Sequence, residues 1–226
     1  MNVPAGKRWV KDASADELER RMEILNRLSD SYPGSSRQLC ALRFSSPFQL
    51  LVATILSAQC TDQRVNLTTP SLFQKYPSAK EMAAAPLEDI ERMIYSTGFY
   101  KNKARNILQM ARRVLSDYDG RIPEDLEDLV KLPGVGRKTA NVVLSVGFSK
   151  PGLAVDTHVG RLARRLGLTN SKDPVRIESD LMEWVPPSDT GGFSLRLIIH
   201  GRQVCFARKP KCSICVLSDL CPSAFS

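Results

Sequence analysis

Apolar residues recur three or four positions apart in segment after segment of this chain, as on the buried face of an α-helix. Ser14 to Glu17 and Ser78 to Glu81 both resemble capping boxes, which mark helix starts. No strand-type alternation is sustained, and no internal repeat has a fixed period. The predicted fold class is therefore all-α. The pattern predicts helices over residues 18–32, 48–58, 62–76, 86–94, 101–118, 124–131, 137–147, 159–166, 174–184 and 193–204.

The segment Leu132-Pro133-Gly134-Val135-Gly136-Arg137-Lys138 joins two of these helices. Because both glycines lack a Cβ, the backbone there can take positive φ values and come close to a ligand. The unpaired N–H groups and the positive dipole end of the following helix face this turn, so a phosphate is the expected occupant. A tight turn between two core helices is the alternative, since Gly-x-Gly alone is weak evidence.

Lys138 is the residue that favours a functional role for this turn. A lysine in the first turn of a helix opposes the helix dipole, so its placement there costs stability. A lysine amine can act as a nucleophile and form a Schiff base with a sugar aldehyde. A simple phosphate contact is the alternative role. Asp156, an isolated acid in Ala154-Val155-Asp156-Thr157-His158, is either a second functional residue or the N-cap of the next helix.

The charge of the chain suggests an acidic partner. Thirty-two Lys and Arg against 24 Asp and Glu give a formal net charge of +8, with a pI near 9.3. Nucleic acid is the economical candidate. An anionic membrane surface is the alternative, but there is no long apolar span and no lipidation signal. Residues 1–12 contain no apolar segment of signal-peptide length, so we expect a soluble intracellular protein.

Four of the six cysteines are crowded near the C-terminus in the pattern C-x6-C-x2-C-x5-C. Such crowding is typical of a metal site, and disulfides are a poor explanation in a reducing compartment. A four-cysteine zinc site usually has two C-x2-C pairs, so the spacing favours an iron–sulfur cluster. The first loop would present three cations to a phosphate backbone, unless it is only a solvated structural staple. The ligands are Cys205, Cys212, Cys215 and Cys221, and the cations are Arg208, Lys209 and Lys211.

Five segments together resemble the endonuclease III family of helix-hairpin-helix DNA glycosylases, in the family's order and over about residues 15–222. They are Leu132 to Leu144, Val155 to His158, Leu56 to Asp62, His200 to Arg202 and the four-cysteine tail. The resemblance implies two helical domains with DNA bound at the cleft between them. One is a six-helix barrel, residues 40–150, that contains the hairpin. The other, residues 1–39 and 151–226, holds a [4Fe-4S] cluster.

The resemblance also implies an activity, the removal of oxidised pyrimidines from duplex DNA followed by strand cleavage. Lys138 matches the lysine that attacks C1′ of the damaged nucleotide, and the Schiff base then permits β-elimination. Asp156 matches the essential carboxylate, which would stabilise oxocarbenium-like charge on the sugar. The backbone of Gly134, Val135, Gly136 and Arg137 would contact the DNA. We expect the protein to be a monomer.

A duplex hides C1′, so the damaged nucleotide must be flipped out and the gap filled. In the family, the residue at Gln59 and an apolar residue in the loop of Phe99 serve this purpose, although related proteins often have an aliphatic residue at the latter position. The alternative role for Gln59 is a helix-end hydrogen bond, and the alternative role for Phe99 is core packing. His158 is expected to line the pocket unless it is structural, and Asp62 to order the pocket unless it caps a helix.

Two other functions remain open from the sequence. A monofunctional glycosylase of the same superfamily would also have the hairpin, the aspartate and the cluster, but such enzymes typically lack a lysine at position 138. A DNA-binding module without enzymatic activity would bind in a salt-sensitive way and form no covalent intermediate. The arginines at positions 161, 164 and 165 either approach phosphates or form a solvated helix face.

Overall fold

The computed structural model describes residues 14–225, so the prediction for residues 1–12 lies outside the described part of the chain. Within it the secondary structure is helical without any strand, as predicted. The twelve α-helices are α1 (Ala15–Ser31), α2 (Ser36–Leu39), α3 (Pro47–Leu56), α4 (Asp62–Lys75), α5 (Ala79–Ala83), α6 (Leu87–Ile94), α7 (Tyr100–Asp117), α8 (Leu126–Leu129), α9 (Arg137–Val142), α10 (Thr157–Arg165), α11 (Pro174–Met182) and α12 (Thr190–Gln203).

The contacts divide the chain into two compact units. The hairpin unit is Cys40–Phe148 and contains α3 to α9. The cysteine unit combines the residues up to Leu39 with those from Ser149 onward, and contains α1, α2 and α10 to α12.

The core of the hairpin unit is built around α3. Pro47 occupies the first turn of this helix, where its missing N–H has no cost, and Ser46 caps it by accepting a hydrogen bond from the Gln49 N–H. From Leu50 to Leu56 every side chain is buried, so the helix has no solvent face. Helices α4, α7 and α9 pack against it.

The cysteine unit has its own core, to which α1, α10, α11 and α12 contribute. Phe193 is fully buried and packs edge-on against the Trp184 ring, with the ring centroids 5.3 Å apart. Three of the crowded cysteines pack against this core: Cys205, Cys215 and Cys221. The cysteine loop is therefore anchored on a rigid apolar base.

Hydrogen bonds at the helix starts test the two capping boxes. At α5 both halves of the capping box are present, as predicted, because the Glu81 carboxylate accepts a hydrogen bond from the Ser78 N–H. At α1 Ser14 accepts from the Glu17 N–H, but the Glu17 carboxylate binds Arg20 and Arg21 instead. Two nearby guanidinium groups compete for that carboxylate, so the second half of the predicted box is replaced by ion pairs.

Two predicted helices differ from the structure. The helix expected over residues 124–131 is shorter in the structure and covers only α8 (Leu126–Leu129). Asp125 caps its start by accepting a hydrogen bond from the Asp128 N–H. The one expected over residues 137–147 is α-helical to Val142 and continues as a π-helical turn over Val143–Gly147, where the Ser145 hydroxyl donates to the Asn141 carbonyl.

The described helices do not span a membrane by length and hydrophobicity. Within residues 14–225, none combines the length and apolar character that crossing a bilayer requires.

Candidate active site and cluster-binding site

The hairpin between α8 and α9 has one glycine that the backbone requires and one that it does not. Gly134 has φ +77°, and a Cβ there would lie 2.8 Å from the Asn106 Cβ. Gly136 has φ −91°, an ordinary extended value, so a positive φ is realised at Gly134 alone. No described atom lies within 4 Å of the position that a Cβ on Gly136 would take. Gly136 therefore keeps open the space in front of α9.

The first turn of α9 faces this space without a side-chain cap. Gly136 occupies the N-cap position, and the first helical bond runs from the Ala140 N–H to its carbonyl. Val135 is 7% exposed, so its side chain fills the core, and its N–H donates to the Leu132 carbonyl at 3.1 Å. Arg137 and Lys138 are exposed. Among the described residues, the Lys138 ammonium has no hydrogen bond or ion pair, which leaves it available to react.

Asp156 is the N-cap of α10, which was the alternative to a catalytic role in the sequence analysis. Its Oδ1 accepts from the N–H groups of His158 and Val159, at 2.8 and 2.9 Å. No described residue donates to Oδ2. The residue is half-buried, so one carboxylate oxygen fixes the side chain while the other remains able to face a substrate. Capping and catalysis are compatible at this position.

Gln59 and Phe99 both have exposed side chains and a left-handed backbone conformation. Gln59 follows α3 with φ +52°, and Phe99 precedes α7 with φ +49°. The Phe99 side chain is 66% exposed, so core packing was the wrong alternative for it. A left-handed backbone costs a non-glycine residue about 1–2 kcal/mol, and such strain is concentrated at functional sites. Two exposed side chains are thus held in unfavourable backbone conformations.

Asp62 and His158 were expected near the pocket. Thr61, rather than Asp62, caps α4 by accepting from the Arg64 N–H, so the capping alternative for Asp62 is wrong. The His158 Nδ1 lies 3.1 Å from the Arg161 guanidinium, and a Cβ on Gly201 would lie 2.8 Å from the same nitrogen. The absence of a side chain at Gly201 thus lets α10 and α12 approach closely around the imidazole.

The four crowded cysteines line a single pocket. Four thiols around one pocket supply the ligand set that a [4Fe-4S] cluster requires. Burial raises the pKa of the Cys215 and Cys221 thiols, so binding of the metal must displace their protons.

Arginines of α10 hold the start of the cysteine loop, a role that the sequence did not indicate. Arg165 donates to the Phe206 carbonyl at 2.7 Å and to the Ala207 carbonyl at 2.9 Å, and contacts the Cys205 sulfur at 3.3 Å. Arg161 donates to the Cys205 carbonyl at 2.8 Å. The two roles expected for these arginines were a phosphate contact and a solvated helix face, and Arg161 and Arg165 have neither role. Only Arg164 of the three is exposed.

Helix α1 holds the end of the loop in the same way. Arg20 donates to the Leu220 carbonyl at 2.8 Å, and Arg27 to the Val216 carbonyl at 3.0 Å. Loop carbonyls that no regular structure satisfies are thereby paired with guanidinium groups. The loop is held by side chains from two helices as well as by its own cysteines.

His200 connects this loop to α1. Its Nδ1 lies 3.0 Å from the Tyr32 hydroxyl, and its Nε2 lies 3.3 Å from the Cys215 sulfur. Burial lowers the pKa of His200 to about 4, so the ring is neutral at physiological pH. A neutral ring that accepts from Tyr32 carries its proton on Nε2 and donates it towards the sulfur.

The basic loop between the first two cysteines presents its charges to solvent. Arg208, Lys209 and Lys211 are all exposed, and among the described residues none of them forms an ion pair. The Lys211 ammonium lies 5.3 Å from the centre of the Phe206 ring. Three unpaired cations on a rigid loop are suited to a polyanion.

The chain combines a helical fold, a hairpin beside an exposed lysine, and four cysteines around one pocket. Residues 52–187 match the model of the HhH-GPD superfamily of base excision DNA repair proteins. Residues 205–221 match the iron-sulfur binding domain of endonuclease III.

Individual relatives are endonuclease III proteins. It is 53% identical over 211 residues to endonuclease III of Synechocystis sp. (strain ATCC 27184 / PCC 6803 / Kazusa), covering 93% of this chain and 95% of that one. Two solved structures, a non-covalent endonuclease III–DNA complex and a trapped endonuclease III–DNA covalent intermediate, superpose with a TM-score of 0.84. Each is 41% identical and covers 92% of this chain and 96% of its own.

The chain therefore belongs to the endonuclease III family. It is a bifunctional DNA glycosylase and abasic-site lyase of base-excision repair, and its cofactor is a [4Fe-4S] cluster.

Proposed function

We propose that this chain removes oxidised pyrimidines from duplex DNA and cleaves the strand through Lys138, with Asp156 as the essential carboxylate. The observation that carries these roles is the exposed, unpaired ammonium of Lys138 on the uncapped first turn of α9. The same turn provides backbone N–H groups for a phosphate. Nucleophile and DNA anchor are thus one element of structure.

The proposal also assigns two domains to the chain. The six-helix barrel with the hairpin is residues 40–150, and the cluster domain is residues 1–39 and 151–226. The division of contacts at Leu39 and Phe148 supports this assignment.

In the first step the Lys138 ammonium gives a proton to solvent, and the resulting amine attacks C1′ as the bond from C1′ to the base breaks. The base leaves with the bonding electrons and takes up a proton. Asp156 stabilises the positive charge that develops on the sugar, using the oxygen that does not cap α10. The ring then opens and a Schiff base links Lys138 to C1′.

In the second step a proton leaves C2′ and the C3′–O bond breaks, which cuts the strand on the 3′ side. Water then hydrolyses the Schiff base and restores the Lys138 amine. Cys205, Cys212, Cys215 and Cys221 would hold the [4Fe-4S] cluster, which would fix the loop of Arg208, Lys209 and Lys211 in place for contact with the phosphate backbone.

The substrate is double-stranded DNA with the damaged nucleotide flipped out. Gln59 and Phe99 fill the gap, which their exposure supports. The backbone from Gly134 to Arg137 holds the phosphates, and His158 and Asp62 line or order the pocket. The chain acts as a monomer, inside the cell at the nucleoid, where its substrate lies.

Borohydride trapping tests the proposal. Duplexes with thymine glycol or an abasic site are incubated with the wild-type chain, Lys138→Gln and the control Lys131→Gln. Lys131 is an exposed lysine of the same unit, paired with Asp128, so its replacement removes one lysine charge and leaves Lys138 in place. We expect a covalent adduct with the wild type and the control, and none with Lys138→Gln.

The remaining outcomes separate the alternatives. An adduct on the abasic site but not on thymine glycol would contradict the oxidised-pyrimidine assignment. Release of base without any adduct would indicate a monofunctional glycosylase. Binding without base release would leave a DNA-binding module.

A further inference from the structure

Lys103 is a buried lysine with no acidic partner among the described residues. It lies in the middle of the hairpin unit on α7 and is 5% exposed. Its ammonium donates to the carbonyl of Leu56 and to the carbonyl of Thr97, both at 2.8 Å. Burial is the main cause of the lowered pKa of this amine. An apolar residue would cost less to bury, so the polar contacts require a reason other than packing.

The two carbonyls lie at the roots of two particular loops. Leu56 is the last residue of α3, three positions before Gln59. Thr97 ends a short 3-10 helix, two positions before Phe99. Carbonyls at helix ends have no partner within the helix, so each would otherwise be a buried unpaired group. One ammonium satisfies both, and this joins the loop of Gln59 to the loop of Phe99.

Both loops also hold an unfavourable backbone conformation. Gln59 and Phe99 have positive φ values, and their side chains are exposed. Gly98, beside Phe99, likewise has φ +68°, with no described atom within 4 Å of a Cβ placed there. The buried end of this turn is Thr97, which is 2% exposed and whose carbonyl accepts the bond from Lys103. That bond therefore holds the turn from the protein interior.

We propose that Lys103 is a positioning residue that fixes the spacing of the two loops, so that Gln59 and Phe99 enter the duplex together. This inference rests on the proposed function, in which those two side chains fill the gap left by the flipped nucleotide. Lys103 touches neither the DNA nor the reacting atoms.

The test compares Lys103→Met with two controls on the same helix. Met keeps the length of the side chain and removes the ammonium. Met110→Ala opens a cavity at a fully buried position of α7, and so reports what a loss of stability alone does. Lys101→Met makes the same chemical change at an exposed position. Lys103→Gln, which can still donate to one carbonyl, replaces the Met variant if that variant does not fold.

Two readouts separate insertion from chemistry. The first is the fluorescence of 2-aminopurine placed opposite tetrahydrofuran, an abasic analogue that cannot form a Schiff base. We expect Lys103→Met to lose at least about half of the wild-type response and to slow base release from a thymine glycol duplex at least about ten-fold. The second is trapping on a single-stranded abasic oligonucleotide, where no gap must be filled and the yield should stay within about two-fold.

Three results would overturn the proposal. One is an unchanged fluorescence response in Lys103→Met. Another is an equal loss on single-stranded and duplex DNA, which is the expectation for general disruption. The third is an equal loss of response in Met110→Ala.

A double-mutant cycle adds a further check. If Lys103 acts through the loops, Lys103→Met should have little further effect once Gln59→Ala and Phe99→Ala are both present. A full additional loss in that background would contradict the coupling.

Failure of the proposed function gives a different result. A wild-type chain that traps no adduct on any DNA would overturn the Schiff-base mechanism, whereas the fluorescence experiment involves no chemistry and judges the role of Lys103 independently.

Discussion

The Oδ1 of Asp156 accepts a hydrogen bond from the Val159 N–H at 2.9 Å, which makes the proposed catalytic carboxylate the N-cap of its helix. One oxygen of this residue caps the helix, and the proposed chemical role belongs to the other. Substitutions can separate the two.

Asp156→Asn should leave stability nearly unchanged, because the amide oxygen can still accept the capping bonds. Turnover should fall at least about 100-fold, because the negative charge is lost. Asp156→Ala should lose activity as well and, in addition, about 1 kcal/mol of stability. Thermal unfolding and single-turnover base release measure the two effects.

Asp173→Asn is the matched control, since Asp173 caps α11 through the Arg176 N–H. It should leave base release unchanged. If Asp156→Asn reduced stability strongly and turnover only in proportion, capping would be the sole role of Asp156.

The two hairpin glycines should respond differently to alanine. Gly134→Ala places a Cβ 2.8 Å from Asn106 on a backbone with φ +77°, and should destabilise the protein by about 1–2 kcal/mol or more. Gly136→Ala meets open space at an ordinary φ, so the fold should persist while DNA affinity falls. Urea unfolding and binding to an abasic-analogue duplex measure the difference, and equal effects on both quantities would contradict it.

Arg165→Met should loosen the cysteine loop. It removes the donors to the Phe206 and Ala207 carbonyls and the contact with Cys205. Because these bonds tie the start of the cysteine loop to α10, iron should be lost to a chelator several-fold faster than from the wild type. Iron content and the absorbance of the cluster record the loss. Arg164→Met, at the exposed position beside it, should retain iron like the wild type.

The pH dependence of stability in the hairpin unit should include a contribution from Asp89. The Lys75 ammonium at 2.7 Å and the Tyr76 hydroxyl at 2.6 Å lower the pKa of Asp89 to about 2. A carboxyl whose folded pKa lies below its ordinary value of 3.8 stabilises the fold above that value, and the stabilisation is lost as the pH falls towards 2.

Asp89→Asn should accordingly differ most from the wild type above about pH 4, and the difference should shrink at lower pH. Urea unfolding between pH 2 and 6 measures it. Asp119→Asn is the control, because Asp119 is exposed and forms no ion pair among the described residues. A difference that stays constant with pH would show that the ion pairs do not hold this carboxyl.

Local patterns predicted the elements of the fold. Pro47, Asp156 and Asp173 lie at helix starts as expected, because proline and capping residues act within three or four positions of themselves. The π-helical turn of Val143–Gly147 was missed, because its apolar residues also suit an α-helix. Short-range rules could not distinguish the two.

The sequence by itself determined the helical class, the family and the presence of an iron–sulfur cofactor, and it predicted the cluster ligands and the roles of Lys138 and Asp156, because each depends on residue type and close spacing. Only the tertiary structure decided that Arg165 holds the cysteine loop, 41 positions away, and that Lys103 joins carbonyls at Leu56 and Thr97. Long flexible side chains leave no periodic signal, and a carbonyl acceptor is present at every residue, so the sequence does not specify which carbonyl each one binds.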